Sequence, residues 1–153
     1  MGLSHTPDMD RFWKAFSETM EEPNYWKRFN YYAWSFGNTK ELADSLCDLV
    51  LEGRKTATCS LLRAYKGEED ELPRVGLYSL LCDGDNSPKA VILLKKCSLE
   101  KFDDISPEFA RLEGEGDLSY EYWRKAHTEF FSQYEGFHEG DLVICEEFEV
   151  IYT

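Results

Sequence analysis

The amino-acid sequence predicts an α+β domain built on a small mixed β-sheet or barrel. Five stretches alternate apolar and polar residues as half-buried strands do, and three stretches place apolar residues at helical spacing. These elements do not follow a regular β-α-β order, which argues against a parallel α/β sheet. The chain has 153 residues, 42% of them hydrophobic and 15% aromatic, which is enough for one domain with a packed core.

The first helix is predicted near the start of the chain. The segment Thr6-Pro7-Asp8 combines a hydroxyl N-cap, a proline in the first turn and an acid at the positive end of the helix dipole. Apolar residues then recur at helical spacing, at Met9, Phe12, Trp13, Phe16 and Met20. We expect the helix to end at Glu22-Pro23, because proline disfavours helix in the preceding residue. From there to Asn30 the pattern leaves helix and strand open.

Two more helices are predicted further along. Asn38 or Thr39 caps the second helix, with Glu41 placed to answer Asn38 in a capping box, and Gly53 ends it. Its predicted buried face consists of Leu42, Leu46, Leu49 and Val50. The third helix is predicted from about Ser119 to Phe131.

The five predicted strands are Tyr32–Phe36, Thr56–Leu62, Val75–Cys82, Lys89–Ser98 and Leu142–Tyr152. The segment Asp83–Pro88 between the third and fourth strands is rich in turn-forming residues, which predicts a hairpin connection. It starts like a calcium loop, but Pro88 occupies the position where such a loop needs glycine and Leu94 the position of its closing glutamate. We therefore expect a turn without a calcium ion.

Charge and composition narrow the partners. The formal net charge is −13, which disfavours tight binding to long duplex nucleic acid and fits a small or locally docked ligand better. The N-terminal segment has neither the basic nor the apolar region of a signal peptide, and no stretch is long enough to span a bilayer, so we expect a cytoplasmic protein without a membrane partner. The oligomeric state is left open.

Metal and cofactor motifs are absent from the sequence pattern. The 5 cysteines form no C-x-x-C pair and are expected to be thiols in a reducing compartment, and the 3 histidines include no pair at ligand spacing. No phosphate-binding or dinucleotide-binding glycine motif occurs. We therefore predict neither a metal site nor a cofactor.

The stretch Leu51–Ser60, LEGRKTATCS, contains the first group of candidate functional residues. A helix that ends at Gly53 presents its negative end to the cations that follow, and this accounts for Arg54 as a helix cap. Lys55 lies in the turn between helix and strand, where functional residues concentrate, and a partly desolvated lysine can act on a neighbouring hydroxyl such as that of Thr58. In a regular strand Lys55 and Thr58 would point to opposite faces, so their cooperation requires Lys55 to stay in the turn.

The second group lies in Phe109–Phe131, FARLEGEGDLSYEYWRKAHTEFF. Glu113, Glu115 and Asp117 alternate with glycines, and we assign a functional role to Glu113 while Glu115 and Asp117 are explained by the helix start that follows. Trp123 and His127 are four residues apart and share a helix face. For His127 a structural role is favoured over catalysis.

Four segments in this order resemble the longer bacterial branch of the ASCH domain family, a relative of the PUA-like RNA-binding folds. They are LVLEGRKTATCSLL, LPRVGLYSLL, FARLEGEGDLSYEYWRKAHTEFF and DLVICEEFEVIY, and the resemblance covers about Tyr31 to Tyr152. It implies a PUA-like pseudo-barrel with flanking helices in residues 31–153. This chain adds to that pattern an N-terminal helical extension in residues 1–30, which we expect to pack on the domain. It also implies RNA-linked functions, and a shorter branch of the family hydrolyses the acetyl amide of 4-acetylcytidine. The functional lysine, threonine and glutamate of that branch correspond by motif to Lys55, Thr58 and Glu113.

Three functions stay open from the sequence. The leading hypothesis is a metal-independent hydrolase on a modified nucleoside, with Lys55, Thr58 and Glu113 as catalytic residues. A further set is assigned to ligand binding by charge, hydroxyl groups or base stacking: Arg54, Thr56, Trp34, Tyr65, Trp123 and His127. The alternatives are an RNA-binding or ribonuclease module with the same cleft, and a non-catalytic sensor of a nucleotide or another small molecule.

Overall fold

A computed structural model describes residues 2–21 and 30–153, and within them the protein has the predicted α+β fold with a mixed sheet. In chain order the elements are α1 (Pro7–Glu18), β1 (Tyr32–Trp34), α2 (Lys40–Leu51), β2 (Ala57–Leu61), β3 (Tyr78–Cys82), β4 (Pro88–Lys101), α3 (Pro107–Leu112), α4 (Tyr120–Phe131) and β5 (Leu142–Tyr152). The strand order is β1-β3-β4-β5-β2, with β1 parallel to β3. In the part of the chain described, no helix combines the length and apolar character needed to cross a membrane.

The chain divides into two compact units that alternate along the sequence. The first unit contains the described residues up to Glu52 together with Gly76–Leu93 and Glu149–Thr153. The second unit contains Gly53–Val75 and Leu94–Phe148. Each is described by itself below, and all residues of the candidate site belong to the second unit.

The first unit is built on an aromatic core under α1. Thr6 is the N-cap of this helix and its hydroxyl accepts a hydrogen bond from the amide of Met9, as predicted. Met9, Trp13 and Phe16 are at most 2% exposed, and the Trp13 ring stacks on Tyr31 with centroids 4.9 Å apart. The helix ends at Glu18, and the predicted end at residues 22–23 lies outside the described residues, as does the segment before Asn30 that was left open.

The second helix, α2, begins as predicted but turns a different face inward. Thr39 is its N-cap and accepts from the amide of Leu42 at 3.2 Å, and Gly53 follows its end with a φ of +77°. The predicted row of leucines is only half-buried, because the small side chains of Ala43 and Cys47 form the centre of the packed face with Val50. Small residues let a helix approach its neighbours closely, and the larger leucines then lie at the sides of the contact.

The second unit has its own core, formed where β2 and β5 pair antiparallel. Thr58 lies opposite Glu146 in this pair, and Cys59 lies opposite Cys145. The core beneath the pair is largely aromatic, with Leu61, Phe102, Ala110, Trp123, Phe131 and Val143 among its buried members. The rings of Phe102 and Trp123 stack with centroids 5.5 Å apart, so the base of α4 is anchored by packing.

Two helices carry the second group of candidate residues. The short helix α3 was not predicted, although Ser106 and Pro107 form a regular helix start in which the Ser106 hydroxyl accepts from the amide of Phe109 at 3.1 Å. Glu113 is the C-cap of α3. The helix α4 was predicted within one residue, and Ser119 caps it by accepting from the amide of Tyr122.

The five strands were all predicted in place, with shifts of up to three residues at their ends for four of them. The last strand, β5, has the predicted bounds Leu142–Tyr152. The predicted hairpin turn joins β3 and β4, with the Asp83 carboxylate accepting from the amides of Asp85 and Ser87. Asn86 adopts a φ of +60° in this turn, a conformation that asparagine tolerates better than most residues.

Candidate functional site

The ammonium group of Lys55 lies at the centre of the site. The residue lies two positions before the start of β2 and is 1% exposed. Its Nζ donates hydrogen bonds to Glu113 Oε1 at 3.1 Å, to the Glu113 backbone carbonyl at 3.3 Å and to Glu115 Oε2 at 2.9 Å. An ammonium group has three hydrogens to donate, and these three oxygens match that number. The predicted pair of Lys55 and Glu113 is therefore present in the structure.

Glu113 connects the lysine to three further side chains. The residue is 1% exposed, and its second carboxylate oxygen, Oε2, accepts from Trp123 Nε1 at 2.5 Å. The same oxygen lies 3.2 Å from His127 Nε2 and 3.5 Å from the thiol sulfur of Cys59. One buried carboxylate thus contacts residues from β2, α4 and the turn before β2.

The hydrogen bonds of His127 indicate its charge state. Its Nδ1 lies 2.8 Å from the backbone carbonyl of Trp123, which can only accept, so Nδ1 carries a proton. Its Nε2 faces the Glu113 carboxylate, which holds a second proton there when Glu113 is ionised. Burial lowers the pKa of His127, while the charge and hydrogen bond of Glu113 and the charge of Glu115 raise it, and the net direction is upward. Both ring nitrogens face acceptors, an arrangement that favours the doubly protonated imidazolium.

The four ionised groups balance one another. Burial lowers the pKa of Lys55, while the charges of Glu113 and Glu115 raise it, and the net direction is upward. Burial raises the pKa of Glu113. The charges of Lys55 and His127 lower it, and the net direction is downward. Two cations and two carboxylates therefore coexist in a nearly enclosed space. Because Lys55 holds its proton firmly here, it acts as a positive charge and hydrogen-bond donor and not as a base.

A glycine-containing loop covers the cluster. Gly114 has a φ of +69°, and a Cβ atom built there would lie 2.1 Å from the Arg54 backbone oxygen, so the loop lies directly on the turn that holds Lys55. Gly116 has a φ of +59°, and Leu118 has a φ of +68° although it is not a glycine. This backbone brings the Glu115 carboxylate over the Lys55 ammonium. The side chain of Glu115 is 15% exposed, which makes it the outermost carboxylate of the cluster.

Thr58, the third residue predicted to be catalytic, lies elsewhere. Cys59 points toward Glu113, and side chains alternate along a strand, so Thr58 and Ser60 point to the opposite face of β2. On that face the Ser60 hydroxyl lies 3.2 Å from the Tyr65 hydroxyl, and Glu146 is the cross-strand neighbour of Thr58. The structure brings Lys55 and Glu113 together and leaves Thr58 among a separate set of polar groups.

The residues predicted to bind ligand are distributed as follows. Arg54 is exposed, and the amide of Thr56 donates to the Leu112 carbonyl at 2.8 Å. Trp123 is 2% exposed and contributes its indole N–H to Glu113, with its ring stacked on those of its neighbours. Tyr65 lies on the Thr58 face of β2. Trp34 belongs to the first unit, where its Nε1 donates to the Ser79 hydroxyl at 3.0 Å.

Two members of the site were not predicted as functional. Cys59 carried no functional signal in the sequence. Glu115 had been explained as part of a helix start, but its carboxylate bonds to Lys55. His127, for which a structural role was favoured, contacts the predicted catalytic carboxylate.

Comparison with known proteins identifies the family. The family model described as ASCH domain matches residues 32–152. The chain belongs to the ASCH domain family. Its fold is the PUA-like α+β fold related to RNA-binding domains, as the resemblance implied. No protein among those with curated descriptions matches this ASCH chain in sequence.

Two solved structures are similar over nearly the whole ASCH protein. The ASCH domain from Lactobacillus crispatus JV V101 is 29% identical, with a TM-score of 0.82 over 94% of this chain and 93% of that one. A protein from Enterococcus faecalis V583 is 34% identical, with a TM-score of 0.77 over 95% of this chain and 88% of that one. Because it covers 94% and 95% of this chain, the similarity extends beyond residues 32–152, which the family model matches.

Proposed function

We propose that this ASCH protein is a hydrolase that cleaves the amide of a modified nucleoside, with 4-acetylcytidine as the first substrate to test. The observation that carries the proposal is the buried pair of Lys55 and Glu113, at 1% exposure each and 3.1 Å apart. The activity of the shorter branch of the family suggests the substrate, and the same two residues correspond to its functional lysine and glutamate.

A functional role explains this buried ion pair better than a contribution to the stability of the fold does. Removing two charges from water costs several kcal/mol per ion, and apolar residues of similar size often stabilise a fold as well or better. Clusters of ionised groups with displaced pKa values concentrate at functional sites. The second unit already has an aromatic core around Phe102 and Phe131, so packing gives no reason to bury Lys55 and Glu113 beside it.

The arrangement suits the hydrolysis of an amide. When a nucleophile adds to the acetyl carbonyl, negative charge develops on its oxygen, and the Lys55 ammonium is positioned to stabilise that charge. When the C–N bond breaks, the departing N4 amine needs a proton, and the His127 imidazolium can supply it through Glu113. Acetic acid and cytidine are then the products, with one water consumed, and the proton that acetic acid releases as it ionises to acetate restores the His127 imidazolium.

The nucleophile in this proposal is water. The Thr58 hydroxyl is on the opposite face of β2 from Lys55, and Cys59 is unsuitable because burial and the charge of Glu113 raise its thiol pKa well above the ordinary value. Access to Lys55 requires Glu115 to move aside with the loop at Gly114 and Gly116, in the manner of lids that open and close around a substrate.

The charge distribution favours a small substrate over a long RNA. In the second unit Arg63 pairs with Asp141 at 2.6 Å, and Arg124 pairs with both Asp103 and Glu139. These cations are therefore already neutralised by carboxylates, and the net charge of −13 repels a phosphate backbone. A neutral nucleoside encounters no such repulsion.

The test is incubation of the purified protein with 4-acetylcytidine while the absorbance change to cytidine is followed. We expect turnover by the unchanged protein, strong loss of kcat in Lys55→Ala and Glu113→Gln, and retained turnover in Thr58→Ala. Lys40→Ala, which alters a surface lysine of the first unit, is the matched control. Absence of turnover excludes this substrate, and turnover unchanged in Lys55→Ala excludes this site.

A thermal-shift panel of nucleosides, nucleotides and short single-stranded RNA separates the remaining alternatives. Stabilisation by a nucleoside without product formation indicates a sensor, because binding then occurs without chemistry. Affinity for RNA that falls steeply with added salt indicates an RNA-binding module.

A further inference from the structure

Three side chains of the second unit lie close together, and they are of kinds that bind metal ions: a thiol, a carboxylate and an imidazole. They come from separate parts of the chain: Cys59 from β2, Glu113 from the end of α3, and His127 from α4. The Cys59 sulfur is 3.5 Å from Glu113 Oε2, and His127 Nε2 is 3.2 Å from the same oxygen. All three ligand atoms lie within 4.8 Å of one another.

The two separations measured from Glu113 Oε2 fit a tetrahedral zinc ion. With zinc–sulfur bonds of about 2.3 Å and zinc–nitrogen or zinc–oxygen bonds of about 2.0–2.2 Å, tetrahedral angles put neighbouring ligand atoms roughly 3.3–3.7 Å apart. The thiol and the imidazole now donate hydrogen bonds toward the point where a shared ion would sit between them and the carboxylate. A metal ion there replaces these two hydrogen bonds without moving the backbone.

The surroundings of the three side chains also match those of metal ligands. A ligating histidine usually donates its other ring N–H to a carbonyl or carboxylate, and His127 Nδ1 donates to the Trp123 carbonyl at 2.8 Å. A ligating carboxylate is usually held by further hydrogen bonds, and Glu113 receives them from Lys55 on Oε1 and from Trp123 on Oε2. Both ring orientation and carboxylate position are thus fixed before any ion binds.

We propose that Cys59, Glu113 and His127 form a zinc-binding site. This inference goes beyond the proposed hydrolase function, which uses no metal, and it does not depend on that function. Three protein ligands leave the fourth tetrahedral position to water, as in zinc sites that are not purely structural.

The ligand set supports zinc over Mg²⁺ and Ca²⁺. Zinc binding requires a thiolate and a ring nitrogen free of its proton, and the displaced protons leave to solvent. A thiolate and an imidazole select a borderline-soft ion, whereas Mg²⁺ and Ca²⁺ prefer sites made of oxygen atoms.

The experiment is zinc titration of the chelator-treated full chain, with no nucleoside present, followed by substitution with Co²⁺. We expect one Zn²⁺ per chain, no binding of Mg²⁺ or Ca²⁺, and a near-ultraviolet absorption band of Co²⁺ bound to a thiolate. Cys59→Ser should abolish that band, and Cys59→Ser and His127→Gln should each weaken zinc affinity by more than about tenfold.

Cys97→Ser is the matched control, because Cys97 is also a half-buried thiol but lies outside the cluster, with its sulfur 3.9 Å from the Pro73 carbonyl. It should leave both the affinity and the absorption band unchanged, and thermal unfolding checks that each variant folds. Lack of zinc binding by the folded protein overturns the proposal. So does zinc binding that survives Cys59→Ser and His127→Gln, or that is lost equally in Cys97→Ser. Performing the nucleoside assay with a chelator present keeps its outcome independent of this one.

Discussion

The two units of this ASCH protein differ in which kinds of side chain they bury. In the described part of the first unit, the buried polar side chains are Ser17 and Ser79, and the buried rings of Trp13 and Tyr31 each carry a polar atom. None of these groups is ionised, and the ion pair of Lys40 with Asp44 is on the surface. In the second unit the ionised pair of Lys55 and Glu113 lies against the aromatic core at 1% exposure. Both units have enough aromatic residues to fold around apolar contacts. The difference therefore points to selection for chemistry in the second unit and for packing in the first.

Replacing one partner of the buried pair should give the largest effect. Lys55→Met leaves Glu113 and Glu115 without their shared cation, and an uncompensated buried charge typically costs about 3–5 kcal/mol of unfolding free energy. Adding Glu113→Gln to that variant should recover part of the loss, because the buried negative charge is then removed. Urea unfolding followed by circular dichroism measures both.

The corresponding change in the first unit provides the control for this prediction. Lys40 lies 2.7 Å from Asp44 and 3.3 Å from Asp85 in an exposed cluster. Because water already solvates these charges, Lys40→Met should leave the unfolding midpoint where it is. If Lys55→Met and Lys40→Met shift the midpoint equally, the contrast between the two units disappears.

A second prediction concerns how the ionisation of Glu146 makes stability depend on pH. The Glu146 side chain points to the other face of β5 from that of Cys145. Burial, with a smaller contribution from the charge of Glu113, raises the pKa of Glu146 from 4.5 to about 7. The folded protein therefore holds a proton that the unfolded chain releases, so this stabilisation is complete below about pH 4.5 and is lost as the pH rises through 7.

Glu146→Gln keeps a neutral side chain at every pH and should stabilise the protein above pH 7 relative to the unchanged chain. The gain is at most about 3 kcal/mol, at about 1.4 kcal/mol per pKa unit, and should vanish below about pH 4.5. Urea unfolding at several pH values measures it. A gain that is the same at all pH values would show that hydrogen bonding, and not ionisation, distinguishes the two side chains.

The smallest expected effect concerns one glycine in each unit, and the two glycines have the same φ. Gly37 in the first unit and Gly114 in the second both have a φ of +69°. An alanine Cβ at position 37 meets the Leu42 side chain at 2.7 Å, and one at position 114 meets the Arg54 backbone oxygen at 2.1 Å.

Alanine in this left-handed conformation costs roughly 1–2 kcal/mol at either position. Leu42 can rotate away, but a backbone carbonyl cannot, so Gly114→Ala should cost more than Gly37→Ala and should also impair whatever activity or zinc binding the cluster has. Thermal unfolding of the two variants side by side measures the difference. Equal costs would mean that the loop over Lys55 gives way easily.

Local patterns in the sequence predicted most of the fold. The cap at Thr6, the start of α4 at about Ser119 and the end of α2 before Gly53 depend on residues within one helical turn, and all were predicted. The predicted buried face of α2 was correct at Val50, but its leucines are only half-buried. Ala43 and Cys47 let the helix approach its neighbours closely, which no local pattern encodes.

The same distinction explains which site residues were found. Lys55 and Glu113 were identified because each stands in a motif, and the structure pairs them. Cys59 was missed because it meets Glu113 only through the fold, at a separation of 54 residues along the chain. The prediction against a zinc site relied on spacing within the sequence, which carries no information on ligands from three different elements. The catalytic role of Thr58 stays a prediction. Its hydroxyl lies on the face of β2 opposite to the Cys59 side chain.

The position of Trp123 gives this cluster an optical reporter of its own. Its indole nitrogen lies 2.5 Å from the Glu113 carboxylate, and its ring stacks on His127 with centroids 4.4 Å apart. Light emission from an indole is quenched by a stacked imidazolium, so the fluorescence of Trp123 should rise when His127 loses its proton. The protein contains 4 tryptophans, and replacing the other three with phenylalanine would leave a single emitter inside the buried charges. Ionisation, ligand arrival and metal exchange could then be followed in real time without attaching a dye.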